Sequence, residues 1–224
     1  AFAKGAAGAL VSQLVDGPHI EVEDTLLALE RMGVVARLRS NALRGAVTGS
    51  VGKTSVTQAI KAALELAGPA HGSVKSYNNH IGVPLTLARM PRDTERAVFE
   101  IGMNHAGEIR PLTRMVRPHA VVVTTVGPVH VENFAEGETG VAKAKAEVFE
   151  GLEPGGVAVL NADDRWFGLL KDAALKAGAE VRTFGHGEDC DARLIDFQGA
   201  AGHAVVQARL HGKGLDFPIL QTGF

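Results

Sequence analysis

The sequence is short of cysteine, of net charge and of long apolar runs. Its single cysteine, Cys190, excludes a disulfide framework within the 224-residue chain and suits a reducing compartment, so a cytoplasmic location is expected. The formal net charge of −2 gives no electrostatic reason to expect nucleic acid or a membrane surface as a partner. No apolar run approaches the roughly 20 residues that a membrane-spanning helix needs, so no membrane insertion is expected.

What is present has the balance of a globular α/β protein. Hydrophobic residues make up 46% and charged residues 21%, which is enough apolar material for a sizeable core. From residue 43 onwards, strand-like and helix-like segments alternate, a pattern that predicts a mostly parallel, P-loop-type sheet with helices on both faces. Strands are expected at 43–47, 70–74, 97–101, 119–124, 156–160 and 180–184, and helices at 53–67, 81–89, 106–116, 138–151 and 164–177.

Beyond residue 185 the pattern changes. Three strand-like segments, 192–198, 203–210 and 215–220, predict a small antiparallel β appendage on the main sheet. The stretch His211–Gly214 is expected to be the hairpin turn between the last two of these strands.

The first 40 residues are expected to be a remnant of something larger. Residues 20–22 form a short strand candidate, and Asp24 or Thr25 can cap a helix. The apolar stripe of that helix, which must lie against something, consists of Leu26, Leu27, Leu29, Met32 and Val35. Because the chain begins without methionine and stops directly after a strand-like run, we expect it to be a fragment of a longer protein.

A phosphate-binding loop is predicted at Thr48–Thr54, which reads Thr-Gly-Ser-Val-Gly-Lys-Thr between a predicted strand and a predicted helix. Glycines let successive backbone N–H groups point at an anion, and the helix N-terminus adds partial positive charge. Lys53 would reach the terminal phosphates, and the Thr54 hydroxyl would hold Mg²⁺. Val47 stands where the general pattern has its first glycine, so an ordinary glycine turn before a helix is the alternative.

Polar residues at the ends of other strands are further candidates. Glu100 interrupts an apolar run, and it is either a solvated carboxylate on an edge strand or a Mg²⁺ ligand opposite Thr54. His130 follows a Gly-Pro turn after a core strand, as a packed or surface histidine or as a ligand. Asn78 and Asn79 form either a turn or a substrate contact.

Two more segments have simple explanations of their own. Asn161 opens a polar run at a strand end, which either caps the next helix or touches the nucleotide. Lys143 and Lys145 lie in an amphipathic helical pattern, in which solvated lysines are the ordinary interpretation.

Together these motifs resemble those of the Mur ligase family, the ATP-dependent amide-forming enzymes of peptidoglycan precursor synthesis. The resembling segments come in the same order and cover most of residues 43–185: 48–54, 77–87, 100–109, 125–132, 144–149 and 161–164. The family's phosphate loop also lacks the first glycine, so Val47 fits. Two stretches, Asn78–Thr86 and Gly102–Ile109, favour the member that joins D-alanyl-D-alanine to UDP-N-acetylmuramoyl-tripeptide, and these two compounds are the partners implied.

The resemblance implies a role for each matching position. Thr54 and Glu100 would hold one Mg²⁺, and His130 would help to hold a second. Lys145 matches a lysine that family members carry as a carbamate, although its neighbour Lys143 stays open as the match. The implied catalytic residues are Lys53, Lys145 and His130. The implied ATP-binding residues are Thr48, Gly49, Ser50, Val51, Gly52, Lys53, Thr54, Asn78, Asn79 and Asn161.

The resemblance also implies how the chain divides. Residues 1–40 would be the tail of an N-terminal UDP-sugar-binding domain with a connecting helix. Residues 41–224 would be the central ATP-binding domain, cut before the C-terminal domain, in a protein expected to be a monomer. The alternatives are another Mur-type or folylpolyglutamate-type ligase, a non-ligase P-loop module that acts as a nucleotide switch, and a kinase.

Overall fold

A nine-stranded sheet organises the computed structural model, which describes residues 2–200 and 203–219. Two short strands, β1 (Ala9–Val11) and β2 (His19–Glu21), pair in parallel apart from it. The strands of the large sheet are β3 (Leu43–Thr48), β4 (Ala70–Gly72), β5 (Arg96–Glu100), β6 (Ala120–Val123), β7 (Val157–Asn161), β8 (Glu180–Gly185), β9 (Ala192–Ala200), β10 (His203–Leu210) and β11 (Lys213–Ile219).

The sheet is parallel over most of its width. Its order is β11-β10-β9-β8-β7-β6-β3-β5-β4. All neighbours from β4 to β9 run parallel, and β10 is antiparallel to both β9 and β11. The predicted fold class is confirmed, including the antiparallel appendage, which continues the main sheet. Of the residues predicted for its last strand, Leu220 lies outside the described residues.

Six α-helices occur in the described part of the chain: α1 (Thr25–Leu38), α2 (Lys53–Glu65), α3 (Gly82–Ala88), α4 (Ile109–Val116), α5 (Glu138–Ala146) and α6 (Phe167–Lys176). The helix expected at 106–116 begins only at residue 109, because Gly107 has φ +88° and the turn before it is held by the Glu108 side chain. The helix expected at 138–151 ends at residue 146 and continues as a 3₁₀ segment, Glu147–Gly151. Among the described residues no helix combines the length and the apolar character that crossing a membrane requires.

Helices cover both faces of the sheet. Neighbouring residues of a strand point to opposite faces, so their contacts show which helix covers each face. On one face, Gly72 and Val98 lie beside Lys61 of α2. On the other, Phe99 packs edge-on against His71, and the His71 ring bonds the Thr86 carbonyl of α3. Helices α1, α3 and α4 contact one another on this second face, which carries the large hydrophobic core.

Helix α1 confirms one expectation and corrects another. Asp24 is its cap, with Oδ1 accepting hydrogen bonds from the backbone N–H groups of Leu26 and Leu27. The helix packs on α3 through Gly33, where a larger side chain would press on the Pro84 carbonyl. The expected apolar contact stripe is wrong for the described residues, since Met32 and Val35 are more than half exposed.

The last hairpin is tighter than predicted. Only His211 and Gly212 lie between β10 and β11, and Lys213 and Gly214 already belong to the strand. Both turn residues have positive φ, +48° and +79°, which is the backbone of a two-residue turn whose twist matches that of the strands.

Candidate nucleotide site at the carboxyl edge of the sheet

The predicted phosphate loop connects β3 to α2. Gly52 is the residue before the helix and has φ +81°, a conformation that favours glycine. Gly49 has φ +147°, and a side chain there would overlap the Thr124 hydroxyl. The two glycines are therefore required by backbone conformation and by close packing. The loop leaves the N-terminal N–H groups of α2 without side-chain caps, as an anion site needs.

The segment after β6 braces this loop from behind. The Ser50 N–H donates to the Thr125 carbonyl at 2.8 Å. The Ser50 hydroxyl donates to the Gly127 carbonyl and accepts from the Gly127 N–H, at 3.0 and 2.9 Å. The Thr124 hydroxyl donates to the Val51 carbonyl at 2.6 Å. These hydrogen bonds to the segment after β6 hold the loop in shape.

Asp164 in turn holds the segment after β6 in place. One carboxylate oxygen of Asp164 accepts hydrogen bonds from the Thr125 hydroxyl and from the Val126 N–H, at 2.9 and 2.6 Å. Asp164 follows β7, so a polar residue at one strand end positions the connection that follows another strand. No sequence motif predicted this contact of Asp164, although Thr124, Thr125 and Asp164 all lie in the polar runs at strand ends.

Lys53 folds back over the loop. Its Nζ donates to the carbonyls of Gly49 and Ser50, at 2.8 and 3.3 Å. Burial lowers the pKa of Lys53 from its usual value, and the negative charge of Glu100 opposes that shift. The ammonium therefore lies against the loop carbonyls, within reach of the negative charge of the carboxylate that the sequence analysis singled out.

Glu100 is fully buried at the end of β5. Its Oε1 accepts a hydrogen bond from Asn78 Nδ2 at 2.6 Å, while Oε2 has no hydrogen-bond partner among the described residues. Its backbone N–H donates to the buried Ser73 hydroxyl at 2.9 Å. Of the two interpretations, a solvated carboxylate on an edge strand is excluded, because the strand is internal and the side chain is inaccessible.

These groups fit a magnesium ion. An unpartnered buried carboxylate oxygen is costly unless it pairs with a cation, and Mg²⁺ takes oxygen ligands while keeping several waters. The Thr54 hydroxyl, which lies 2.9 Å from the Ser76 hydroxyl, would be a second oxygen ligand. Within residues 2–200 and 203–219 there is no cluster of three or more His, Cys, Asp or Glu ligands, so phosphate oxygens would have to complete the shell.

One cavity of about 490 Å³ brings several predicted residues together. Lys53, Asn78, Asn79 and His130 line it. His130 has φ +61°, unusual outside glycine, and is exposed in the turn after β6. Asn79 also has a structural role, since its Oδ1 accepts from the N–H groups of Ile81 and Gly82 at the start of α3.

The two candidate lysines of α5 differ sharply. The Lys145 residue is 4% exposed, and its side chain makes no hydrogen bond or ion pair among the contacts of the described residues. Lys143 is exposed and pairs with Glu136. Burial, and next the charge of Lys53, lower the pKa of Lys145 to about 7. The charge of Lys53 therefore acts on Lys145, so the two ammonium groups repel each other. Lys143 instead lines a larger cavity of about 870 Å³ between helices, away from the loop.

Asn161 and Thr48 are among the predicted residues that do not line the shared cavity. Asn161 donates weakly to the Thr124 carbonyl at 3.5 Å and lines a separate cavity with Asp163 and His186 at the ends of β7 and β8. Thr48 is fully buried under the loop, and its hydroxyl has no partner within the described part of the chain.

Comparison with known proteins agrees with this geometry. A family model described as Mur ligase middle domain matches residues 47–218. The UDP-N-acetylmuramoyl-tripeptide–D-alanyl-D-alanine ligase of Rickettsia prowazekii is 32% identical over 98% of the chain and 50% of its own length.

Two solved structures from Acinetobacter baumannii are also similar, and each is covered over 49% of its length with 99% of the chain aligned. One is described as MurF, with a TM-score of 0.87 and 28% identity. The other is named UDP-N-acetylmuramoylalanyl-D-glutamyl-2,6-diaminopimelate–D-alanyl-D-alanyl ligase, with a TM-score of 0.86 and 27% identity. The chain thus spans about half the length of these three relatives, and by sequence and fold it belongs to the Mur ligase family.

Proposed function

We propose that the chain is the ATP-binding part of an ADP-forming amide ligase that joins D-alanyl-D-alanine to UDP-N-acetylmuramoyl-tripeptide, as the names of its relatives say of them. The observation that carries the proposal is the buried, half-satisfied Glu100 carboxylate beside Lys53 and a preformed phosphate loop. Residues 41–224 would form the central domain, and residues 1–40 the tail of an N-terminal UDP-sugar-binding domain. The reducing environment suited to a lone cysteine agrees with a cytoplasmic location.

The reaction has two steps. The terminal carboxylate of the tripeptide attacks the γ-phosphate of ATP, which gives an acyl phosphate and ADP. The amine of D-alanyl-D-alanine then attacks the carbonyl, the amide bond forms and phosphate departs. Negative charge grows on the phosphoryl oxygens, and the loop N–H groups and Lys53 are placed to stabilise it.

Bound Mg²⁺ would supply further neutralisation of the phosphates, through Thr54 and Glu100 at one position and with His130 at a second. Asn78 would hold Glu100 in place through its amide, and Ser73 would fix the backbone at the same residue. Asn79 would shape the cavity wall by ordering the start of α3. Asn161 would act at the nucleotide side, next to Thr124.

Lys145 is proposed to be carbamylated. With a pKa of about 7, a large share of its amine is neutral near neutral pH, and a neutral amine can add to carbon dioxide with release of a proton. The product is an anion, which would attract Lys53 and metal ions where the ammonium repels them. Burial of an unpaired cation beside another cation is what supports this assignment over Lys143.

The test is ADP release by the full-length protein. It is given ATP, Mg²⁺ and a UDP-muramoyl-tripeptide ending in a diamino acid, with and without D-alanyl-D-alanine. We expect sustained ADP release only when both substrates are present, with the pentapeptide product seen by mass spectrometry.

Other outcomes favour other functions. ADP release that needs a different carboxylate, such as a folate polyglutamate, would favour a sister ligase. Hydrolysis independent of both substrates, coupled to nucleotide-dependent partner binding, would favour a switch module.

A further inference from the structure

The cavity that Lys53 lines has a second charged wall. Glu108, at the start of α4, lines it together with three apolar side chains, Met103, Pro111 and Leu112. A carboxylate beside an apolar surface suits a ligand group with an ammonium at the end of a short hydrocarbon chain.

Glu108 is an anion without a fixed strong cation. Its Oε2 accepts from the Asn104 N–H at 2.7 Å, and its Oε1 lies 3.1 Å from His105 Nδ1. Partial burial raises its pKa, but the hydrogen bonds from Asn104 and His105 outweigh burial and hold the pKa below its usual value. Among the described residues no lysine or arginine pairs with it, and its side chain is 44% exposed.

The neighbouring arginine is already engaged. Arg110, two residues along the chain, donates Nε to both carboxylate oxygens of Glu150, at 2.9 and 2.7 Å, and its guanidinium approaches Glu147. Arg114 also donates to Glu150. The cations of this helix therefore face away from Glu108, into the adjacent cavity that both arginines line.

The proposed reaction would bring the side chain of the terminal residue of the tripeptide to the cavity wall that carries Glu108. The terminal carboxylate of the tripeptide must approach the phosphate held near Lys53, and the side chain of the terminal residue branches from the adjoining carbon. If that residue is a diamino acid, its methylenes and its distal ammonium occupy the cavity shared by Lys53 and Glu108. We infer that Glu108 is a specificity-determining residue that pairs with the distal ammonium of the third residue of the tripeptide, an inference that rests on the proposed function.

A merely structural role for Glu108 makes a different prediction. By holding Asn104 and His105, the carboxylate orders the turn before α4. Loss of that order would slow all substrates alike. Loss of an ammonium partner would slow only substrates that carry the ammonium, and it would act mainly on KM.

The test uses the full-length enzyme and matched tripeptides. Third-residue diaminopimelate is compared with 2-aminopimelate, and lysine with norleucine, because each second compound lacks only the distal amino group. For the pair that the enzyme uses faster, we expect wild type to prefer the ammonium substrate by about 10-fold in kcat/KM. In Glu108→Gln the preference should fall to within about 2-fold, mainly through a higher KM for the ammonium substrate.

Controls separate the possible failures. Glu150→Gln removes a nearby carboxylate that lies in the other cavity, so it should keep the wild-type preference. A wild-type preference near unity, or a preference that Glu108→Gln leaves intact, overturns the inference while ligation itself stands. If wild type ligates none of the four tripeptides, the proposed function fails instead. The wild-type comparison holds even if Glu108→Gln does not fold.

Discussion

Two buried cations, near opposite ends of the same sheet, differ sharply in their hydrogen-bond partners. Arg44 lies at the amino end and is 8% exposed. Its guanidinium donates to the carbonyls of Val116, Arg117 and Ala42, at 2.9, 3.1 and 2.7 Å, and it pairs with Glu153. Lys145 lies near the phosphate loop, is 4% exposed, and has no such partner among the described residues.

The contrast separates stability from function. A buried charge with satisfied donors can be tolerated by the fold, whereas an unpaired one costs free energy. Burial lowers the pKa of both residues, but only Lys145 reaches about 7. The Arg37 Nε, near Arg44 at the amino end, has no hydrogen-bond partner within the described part of the chain, and at the carboxyl edge Glu100 Oε2 and the Thr48 hydroxyl have none either. We take this edge to hold groups whose partners are ligands.

Arg44→Met should have the largest effect. It leaves three carbonyls without their donor and Glu153 with Arg117 alone, so the free energy of unfolding should fall by about 3–5 kcal/mol. Urea-induced unfolding of the chain measures this. Arg117→Met, at an exposed position that pairs with the same glutamate, should cost less than about 1 kcal/mol. Equal losses would remove the distinction between the two ends.

Lys53→Ala should reduce ligation by the full-length protein by about 100-fold or more, the scale of losing one transition-state donor. Its effect on unfolding should be small, because its present partners are two loop carbonyls that water can reach when the side chain is removed. Lys61→Ala, two turns further along α2 where the lysine pairs with Glu65, is the matched control and should keep near-normal turnover. Normal ligation by Lys53→Ala would refute the role of the loop.

Lys145→Met should increase the free energy of unfolding by about 1–3 kcal/mol near pH 7 while it abolishes ligation. The folded-state pKa of about 7 lies below the usual 10.5, so the unfolded chain binds more protons between these values and wild-type stability rises with pH there. The advantage of Lys145→Met should therefore be greatest below pH 7 and vanish towards pH 10.5.

Denaturation midpoints across that range, under carbon dioxide-free buffer, measure the effect. A constant difference would mean that Lys145 is not a buried ammonium. Lys143→Met, which removes an exposed and paired lysine, should change stability little at any pH.

Ser76→Ala should have the smallest effect. It removes the hydroxyl that lies 2.9 Å from the Thr54 hydroxyl, on an exposed loop, and should lower the free energy of unfolding by less than about 1 kcal/mol. Thermal unfolding of the chain is the measurement, with Ser55→Ala, an exposed serine of α2 next to Thr54, as the control. A loss as large as that of Arg44→Met would mean that the carboxyl edge is as tightly satisfied as the amino end.

Local patterns predicted most of the fold. The strand, glycine loop and helix around Lys53 were predicted from a run of apolar residues and turn chemistry, and all three form. The alternation of strand-like and helix-like segments up to residue 185 predicted the parallel sheet, which forms. Helix ends were less predictable, because the start of α4 depends on the Glu108 side chain and the end of α5 on a change to 3₁₀ geometry.

The site depended on contacts far apart in sequence. No feature of the sequence around Asn78 predicts its hydrogen bond to Glu100, 22 residues away. The burial of Lys145 was not predictable from its helix, because the pattern around it is that of solvated lysines, and only the family resemblance pointed to it. The exposed stripe of α1 shows the opposite limit, since periodicity predicts an apolar face but does not say what covers it.

Strand β6 runs from the amino end of the sheet to its carboxyl end, and its length fixes the distance between the contacts made just before it and just after it. Just before it, His119 exchanges backbone and ring hydrogen bonds with Arg44, and just after it, Thr124 braces the phosphate loop. Between them only four pairs, from Gly45–Ala120 to Thr48–Val123, join β6 to β3. One residue inserted or deleted here would turn every later side chain to the wrong face and move the brace off the loop. Insertions and deletions among homologues of this sequence should therefore be absent from 119–124.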